Sequence, residues 1–313
     1  MSRRPIVAVT AGDPCGIGPE VILKALGRIR VPSGVRFTVI GDARVFHEAS
    51  RFVKRRLPAA VEFIDCPSNH RLTPGASSRL AGAASLAYLD RAIALAKAGS
   101  IDALVTAPVT KWAIQASSPN FQGHTEYLAQ ALRVRDVVMM FVSEELRVAL
   151  LTRHLPLAAV SQAITRRLVV TTATLTHEAL NIQFKTARPR LALLGINPHA
   201  GEAGRSTGEE RRAIAPALRA LRRHRILCAG PFAADGFFGA GAWRKYDAVI
   251  APYHDQGLIP FKMLARDHGC QMTVGLPIAR TSPDHGSALD IAGRGVADPG
   301  SMVYALNLAI RLC

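Results

Sequence analysis

The sequence predicts an α/β protein built on a mostly parallel sheet. Short apolar runs without helical period alternate with helically periodic stretches from the first residues onward. Several apolar runs end in polar loops rich in glycine and proline, and three of them are followed within a few residues by a histidine: His154, His199 and His254. Open α/β sheets gather their ligands at the carboxyl ends of strands, so those loops are where a site is expected. With 313 residues the chain can form one large or two medium domains.

Taken in order, residues 6–10 read as a strand. Residues 11–20 form a turn rich in glycine and proline, and a helix follows over 21–26. A strand, glycine loop and helix can cradle an anion on backbone N–H groups, or simply make a tight turn. The spacing fits neither GxGxxG nor a P-loop, so no Rossmann fingerprint is present. A strand over 35–42 leads into a stretch expected to be irregular as far as residue 74, except for a small strand at 61–64. Residues 77–98 are strongly helical in period, and 101–106 form a strand ending in a Thr/Pro/Lys turn.

His124 and Thr125 stand where a loop turns into a helix expected over 126–132. There they could bind a phosphate or carboxylate, or Thr125 could simply cap the helix and His124 lie on the surface. Two strands in hairpin-like succession are expected over 139–152, then one long helical region over 158–181 and a strand over 191–196. A glycine-rich loop from Asn197, a helix over 209–222 and a strand over 246–251 come next. After Arg280 a loop full of turn formers precedes the last helix, over 302–312.

Composition narrows the function classes. The chain is 49% hydrophobic and 20% charged, ordinary for a soluble enzyme. No apolar run approaches the roughly 20 residues that span a bilayer. The N-terminal apolar run is too short for a secretory signal, so a cytoplasmic protein is expected. The five cysteines are scattered and include no CxxC, which supports neither a disulfide framework nor a cysteine zinc site. The net charge of +16 is spread along the chain and no nucleic-acid-binding pattern accompanies it. A basic surface with a locally basic site is the reading preferred over a nucleic-acid partner.

The stretch from Tyr253 to Arg280 concentrates the chemistry, with His254 and Asp255 together and Lys262 and Arg280 following. Neutral imidazole is a common ligand of zinc and other divalent metals, and a catalytic site needs three protein ligands and an open position. His154, His199 and His254 could supply the three. A histidine at a strand end is also often just a hydrogen-bonding residue, and the sequence has no short-range pattern such as HxxxH to decide.

The chain resembles the PdxA family, the 4-hydroxythreonine-4-phosphate dehydrogenases of pyridoxal phosphate biosynthesis. The resemblance runs nearly end to end. It rests on Thr10-Ala-Gly-Asp-Pro-Cys-Gly-Ile-Gly-Pro-Glu, Thr106-Ala-Pro-Val-Thr-Lys, Gly123-His-Thr-Glu-Tyr-Leu-Ala, His154-Leu-Pro-Leu, Asn197-Pro-His-Ala-Gly-Glu, Tyr253-His-Asp-Gln-Gly-Leu and Gly275-Leu-Pro-Ile-Ala-Arg-Thr-Ser-Pro-Asp-His-Gly-Ser-Ala-Leu.

The resemblance implies a fold like that of isocitrate and isopropylmalate dehydrogenases. Two α/β subdomains would flank a cleft: residues 1–120 with 288–313 on the nucleotide side, and 121–287 for metal, substrate and dimerisation. It implies a divalent metal, zinc with magnesium or cobalt as alternatives, on His154, His199 and His254. It implies substrate contacts at His124, Thr125, Lys262, Gln271 and Arg280. Beside them, Asp255, next to His254, is a candidate for orienting a ligand or moving a proton, and Lys262 is the other catalytic candidate.

The loop with Asp284, His285, Gly286, Ser287 and Asp290 is similar to the adenosine-binding loop of isopropylmalate dehydrogenase, which implies NAD or NADP. Family members are homodimers whose active sites draw metal ligands from both subunits, with no nucleic-acid or membrane partner.

Two blocks depart from the family pattern. Gln271 stands where the family has asparagine, and Ala233-Ala-Asp-Gly replaces the usual Pro-Ala-Asp-Thr. Both bear on the substrate. Rival expectations are a paralogue for 4-phospho-D-threonate, 4-phospho-D-erythronate or an aromatic dihydrodiol, and an inert metal- or nucleotide-binding module.

Overall fold

A computed structural model describes residues 3–32, 34–201 and 208–313. Glu202, which closes the Asn197 block, lies outside the described residues. The chain divides into two compact units: one runs to Arg135 and resumes over Leu276–Cys313, and the other is Asp136–Gly275.

In chain order the first unit contributes β1 (Ile6–Thr10), α1 (Gly18–Leu26), β2 (Arg36–Gly41), α2 (Ala43–Val53) and β3 (Val61–Asp65). Then come α3 (Arg79–Lys97), β4 (Ala103–Thr106), α4 (Lys111–Gln115) and α5 (His124–Ala131). The second unit holds β5 (Val138–Ser143), β6 (Arg147–Leu150), α6 (Leu157–Ala163), α7 (Arg166–Ile182) and β7 (Arg190–Leu194). A 3-10 turn at Pro198–Gly201 and a π-helical turn at Glu210–Ile214 precede α8 (Ala215–Arg223) and β8 (Leu227–Phe232). The unit closes with α9 (Ala234–Gly239), β9 (Ala248–Ala251), α10 (His254–Ala265) and β10 (Gly269–Val274). The chain then returns to the first unit as β11 (Ala279–Ser282) and α11 (Gly300–Leu312).

The strands of the first unit run β3-β2-β1-β4-β11, and every pair is parallel. All residues of β4 and β11 are buried, as in parallel strands covered on both faces. In the second unit the order is β10-β5-β6-β9-β7-β8. There β5 pairs antiparallel with both β10 and β6, while β6, β9, β7 and β8 are mutually parallel. Its core packs Phe141, Val148, Leu150, Leu194, Val249 and Trp243 against Leu258 and Phe261 of α10. Burying a Leu or Phe side chain contributes about 1.5–3 kcal/mol, so those two residues fix α10 on the sheet. Among the described residues, no helix is long and apolar enough to cross a membrane.

Several elements differ from their expected form. The stretch after β2, expected to be irregular, contains α2. Asp42 caps it by accepting from the Arg44 amide, yet it buries only Phe46 and Ala49, so its apolar period is thin. The single helical region expected over 158–181 is two helices. Thr165 breaks them by adopting extended backbone and capping α7 through the Leu168 amide. Residues 121–135 and 276–287, expected in the second subdomain, belong to the first unit. β11 pairs with β4, Tyr127 donates to Asp90 of α3 at 2.6 Å, and Gln115 donates to the Phe121 carbonyl at 2.9 Å.

Candidate active site

In the second unit, the parallel strands β6, β9 and β7 lie side by side in that order, and each is followed by one of the three histidines. Their carboxyl ends share one edge, so His154, His254 and His199 emerge from neighbouring strands. Pairing of β6 with β9 continues past the strands. Leu151 donates to the Ala251 carbonyl at 2.9 Å, and the Thr152 hydroxyl donates to the Pro252 carbonyl at 2.7 Å. This extension carries the His154 and His254 rings to 5.9 Å between centroids.

His254 is the first residue of α10, and its Nδ1 pairs with Asp255 Oδ1 at 2.8 Å. That bond orients the ring and leaves Nε2 as the nitrogen outside it. The carboxylate of Asp255 also sits in the first turn, at the positive end of the helix dipole. The helix approaches the sheet closely because Gly257 has no side chain. A Cβ there would stand 2.6 Å from Val148 Cγ1 and 2.9 Å from Ala251 Cβ.

The His199 turn is held differently. His199 (φ 55°, ψ 18°) and Ala200 (φ 51°, ψ 34°) are successive left-handed residues, neither of them glycine. Each costs on the order of 1–2 kcal/mol and persists only where its surroundings impose it. Gly195 makes room for the turn, since a Cβ there would lie 2.7 Å from Ala200 Cα. Glu210, only 1% exposed, accepts from the Ile196 and Asn197 amides at 3.0 and 2.9 Å and from Asn197 Nδ2 at 2.8 Å. Glu209 accepts from the Ser161 hydroxyl and from Asn197 Nδ2, and these bonds, that from Ser161 first, hold its carboxyl below the usual range.

The donor chemistry fits a divalent metal in part. Two imidazoles on one ion, each at about 2.1 Å, have centroids roughly 5–6 Å apart, which the His154–His254 pair satisfies. Among the described residues of one chain, no three His, Cys, Asp or Glu side chains gather as a metal cluster, so His199 does not complete the set there.

The first unit assembles a basic cluster. Arg280 of β11 is 2% exposed and donates to the Thr106 hydroxyl at the end of β4. His124 begins α5, whose N-cap is Gly123 and not Thr125. Thr125 instead lies buried in the first turn. Burial, then the positive charges of Arg280 and Lys111, push the His124 imidazole well below its ordinary pKa. Lys111 extends across the start of α5, with Nζ 3.8 Å from where a Cβ of Gly123 would stand. Sequence reasoning gave Lys111 no role, although it closes the quoted Thr106 block. Of the other predicted substrate contacts, Lys262 is exposed on α10 and Gln271 is buried in β10. Gln271 donates to Thr273 Oγ1 at 3.1 Å.

The two glycine-rich loops of the first unit meet. Ile17 donates to the Ser287 carbonyl at 3.0 Å, and the Ser287 and Thr110 hydroxyls are 2.9 Å apart. Asp284 bonds Ser301 of α11 at 2.8 Å, and His285 Nδ1 lies 3.0 Å from the Gly286 carbonyl. Gly286 has open space around it, and Asp290 is exposed. The first loop is a tight turn and not an anion cradle. Its Asp13, Cys15, Gly16 and Ile17 amides all donate within the protein, and Cys15 donates to the buried Asp13 carboxylate.

These features define a class: a two-unit α/β protein with imidazoles on adjacent strand ends of one unit and a guanidinium, imidazole and hydroxyl clustered in the other. The chain belongs to the PdxA family, described as pyridoxal phosphate biosynthetic protein PdxA, which matches residues 20–309.

Three similar proteins place it further. It is 40% identical to a 4-hydroxythreonine-4-phosphate dehydrogenase of Desulforapulum autotrophicum, over 98% of this chain and 95% of that protein. The crystal structure of 4-hydroxythreonine-4-phosphate dehydrogenase from Klebsiella pneumoniae superposes with a TM-score of 0.85 at 34% identity, covering 98% and 99% of the two chains. A terephthalate 1,2-cis-dihydrodioldehydrogenase from Burkholderia xenovorans gives 0.69 at 32% identity, covering 98% of each.

Proposed function

We propose that this chain is an NAD(P)-dependent, divalent-metal-dependent dehydrogenase of 4-phosphohydroxy-L-threonine, acting in the cytoplasm in pyridoxal 5'-phosphate biosynthesis. Full-length identity of 40% to an enzyme named for that reaction is the observation that carries the reading. The product would be 2-amino-3-oxo-4-phosphooxybutanoate, a β-keto acid that loses CO2 to give 3-amino-2-oxopropyl phosphate.

When bound, the metal would supply Lewis acidity to the reacting hydroxyl, and the nicotinamide would supply a hydride acceptor for the carbon that bears it. His154, His254 and His199 would hold the metal, and Asp255 would orient His254 and receive the hydroxyl proton. Arg280 would hold an anionic end of the substrate, a role suited to its planar fork, with Thr125 and neutral His124 beside it. Lys262 would place a point charge on the substrate and Gln271 would tune which substrate fits. The loop carrying Asp284, His285, Gly286, Ser287 and Asp290 would take the cofactor. The family resemblance supports a homodimer with shared active sites.

A second reading has support in the dihydrodioldehydrogenase likeness, which spans 98% of the chain at 32% identity, and in the Gln271 departure. A substrate panel tests both. NADH or NADPH formation with 4-phosphohydroxy-L-threonine, far above that with 4-phospho-D-threonate, 4-phospho-D-erythronate or an aromatic cis-dihydrodiol, supports the first reading. The reverse order of rates refutes it.

A further inference from the structure

We infer that Glu210 is a positioning residue of the metal site, a carboxylate that never touches the metal but sets the His199 imidazole in place. The inference rests on the metal reading given above. Three N–H donors converge on this one buried side chain, and all three come from Ile196 and Asn197, the residues just before the His199 turn. The turn needs such an anchor because His199 and Ala200 are both left-handed without being glycine. Ala200 also folds back onto Gly195, so the path of the chain between β7 and His199 leaves no slack.

A second bond links this arrangement to the other imidazoles. Gln256, two residues after His254, donates through Nε2 to the Gly195 carbonyl at 2.8 Å. Glu210 and Gln256 therefore grip the same short segment from two sides, one fixing the His199 turn and the other tying it to the helix that carries His254. Glu210 begins a π-helical turn, a form that occurs frequently at functional sites and here delivers the carboxylate to the loop. Without Glu210, the Ile196 and Asn197 amides lose their acceptor, and the bonds from Asn197 Nδ2 to Glu209 and from Gln256 to Gly195 are left to hold the two left-handed residues. His199 would then leave its position while the sheet and α10 stayed intact.

The test is zinc affinity, measured on purified full-length protein by competition with a chromophoric chelator, alongside the Tm of the chelator-stripped protein. Loss of groups that orient metal ligands typically weakens metal binding by 10–100-fold, and Glu210→Ala should fall in that range. Glu210→Gln keeps an oxygen for the two backbone amides, so its zinc affinity should fall measurably below wild type but less than that of Glu210→Ala. It decides the matter if Glu210→Ala does not fold.

The second arm is a double-mutant cycle with His199→Ala. If Glu210 acts through His199, then Glu210→Ala in the His199→Ala background weakens zinc binding no further. A residue that only stabilised the unit would lower Tm in both backgrounds and leave zinc affinity unchanged. That result, or wild-type affinity in Glu210→Gln and in any folded Glu210→Ala, overturns the inference. Wild-type protein that takes up no zinc would instead refute the metal reading beneath it.

Discussion

Gly257→Ala sets two physical effects against each other at the base of the site. In an exposed helix this change is favourable, by about 0.8–1.0 kcal/mol of helix propensity. At Gly257 the added Cβ would lie 2.6 Å from Val148 Cγ1, 2.9 Å from Ala251 Cβ and 3.2 Å from Leu150 Cδ2. Carbon atoms prefer about 3.5–4.0 Å, so α10 must retreat by roughly 1 Å. Overpacking of this kind costs about 1–3 kcal/mol, which leaves a net loss of about 1 kcal/mol after the propensity gain. For a chain of this size that lowers Tm by about 2 °C.

The larger effect falls on His254, one turn away on the same helix. Displacing a reacting group by about 1 Å can cost on the order of 100-fold in rate. The expected result is therefore a small drop in Tm with a large drop in kcat/KM and zinc affinity. Gly236→Ala in α9 is the control: nothing lies within 4 Å of the added Cβ, so it should be neutral or slightly stabilising and leave zinc affinity unchanged. Differential scanning calorimetry and zinc competition on both variants test the reasoning. A Gly257→Ala protein as stable as Gly236→Ala, with wild-type zinc affinity, would falsify the close-packing account of how α10 positions His254.

Other substitutions probe the remaining groups. Arg280→Ala should lower kcat/KM by roughly ten- to a hundredfold, the loss of one charge-assisted contact worth about 1.5–3 kcal/mol, and Arg280→Lys should recover only part because it lacks the fork. Unchanged steady-state kinetics in both would remove Arg280 from the anion site. Asp255→Asn should weaken zinc binding by about 10–100-fold with little change in Tm, and equal affinity would show that the carboxylate does not orient His254.

His124 gives a pH signature. Its folded pKa is depressed, so below about pH 6.5 the unfolded chain takes up a proton that the folded protein does not. Stability must then fall as pH is lowered, by up to about 1.4 kcal/mol per pH unit, until the folded pKa is reached. His124→Gln should flatten that slope in urea unfolding between pH 7.5 and 5. Parallel curves would place His124 in a setting that does not disfavour its charge.

Much of this arrangement is legible in the sequence, for identifiable reasons. Strands β6, β7 and β9 are short, almost wholly buried apolar runs, and His154, His199 and His254 each stand a few residues beyond one of them. That is enough to place three imidazoles at strand ends.

The helix α10 is not legible, because Gly257 and Pro260 interrupt its period. Gly257 is there for close approach to β6 and β9, a requirement of packing that no local pattern reveals. Glu210 is equally silent. In the sequence it is one acidic residue of a surface-type helix, and only the folded path of the loop from Ile196 brings donors to it. Lys111 reads as a turn residue until the start of α5 is seen beneath its side chain. The family resemblance supplied the substrate and cofactor roles, which neither periodicity nor composition could have reached.

The central claim is tested most directly by one assay of the wild-type protein: nicotinamide reduction followed at 340 nm with 4-phosphohydroxy-L-threonine, before and after chelation and after zinc is restored. The account predicts substrate-dependent NADH or NADPH formation accompanied by CO2 release, abolished by the chelator and recovered with zinc. Nicotinamide reduction that persists unchanged in metal-free protein, or none at all in metal-loaded protein with this substrate, would contradict it.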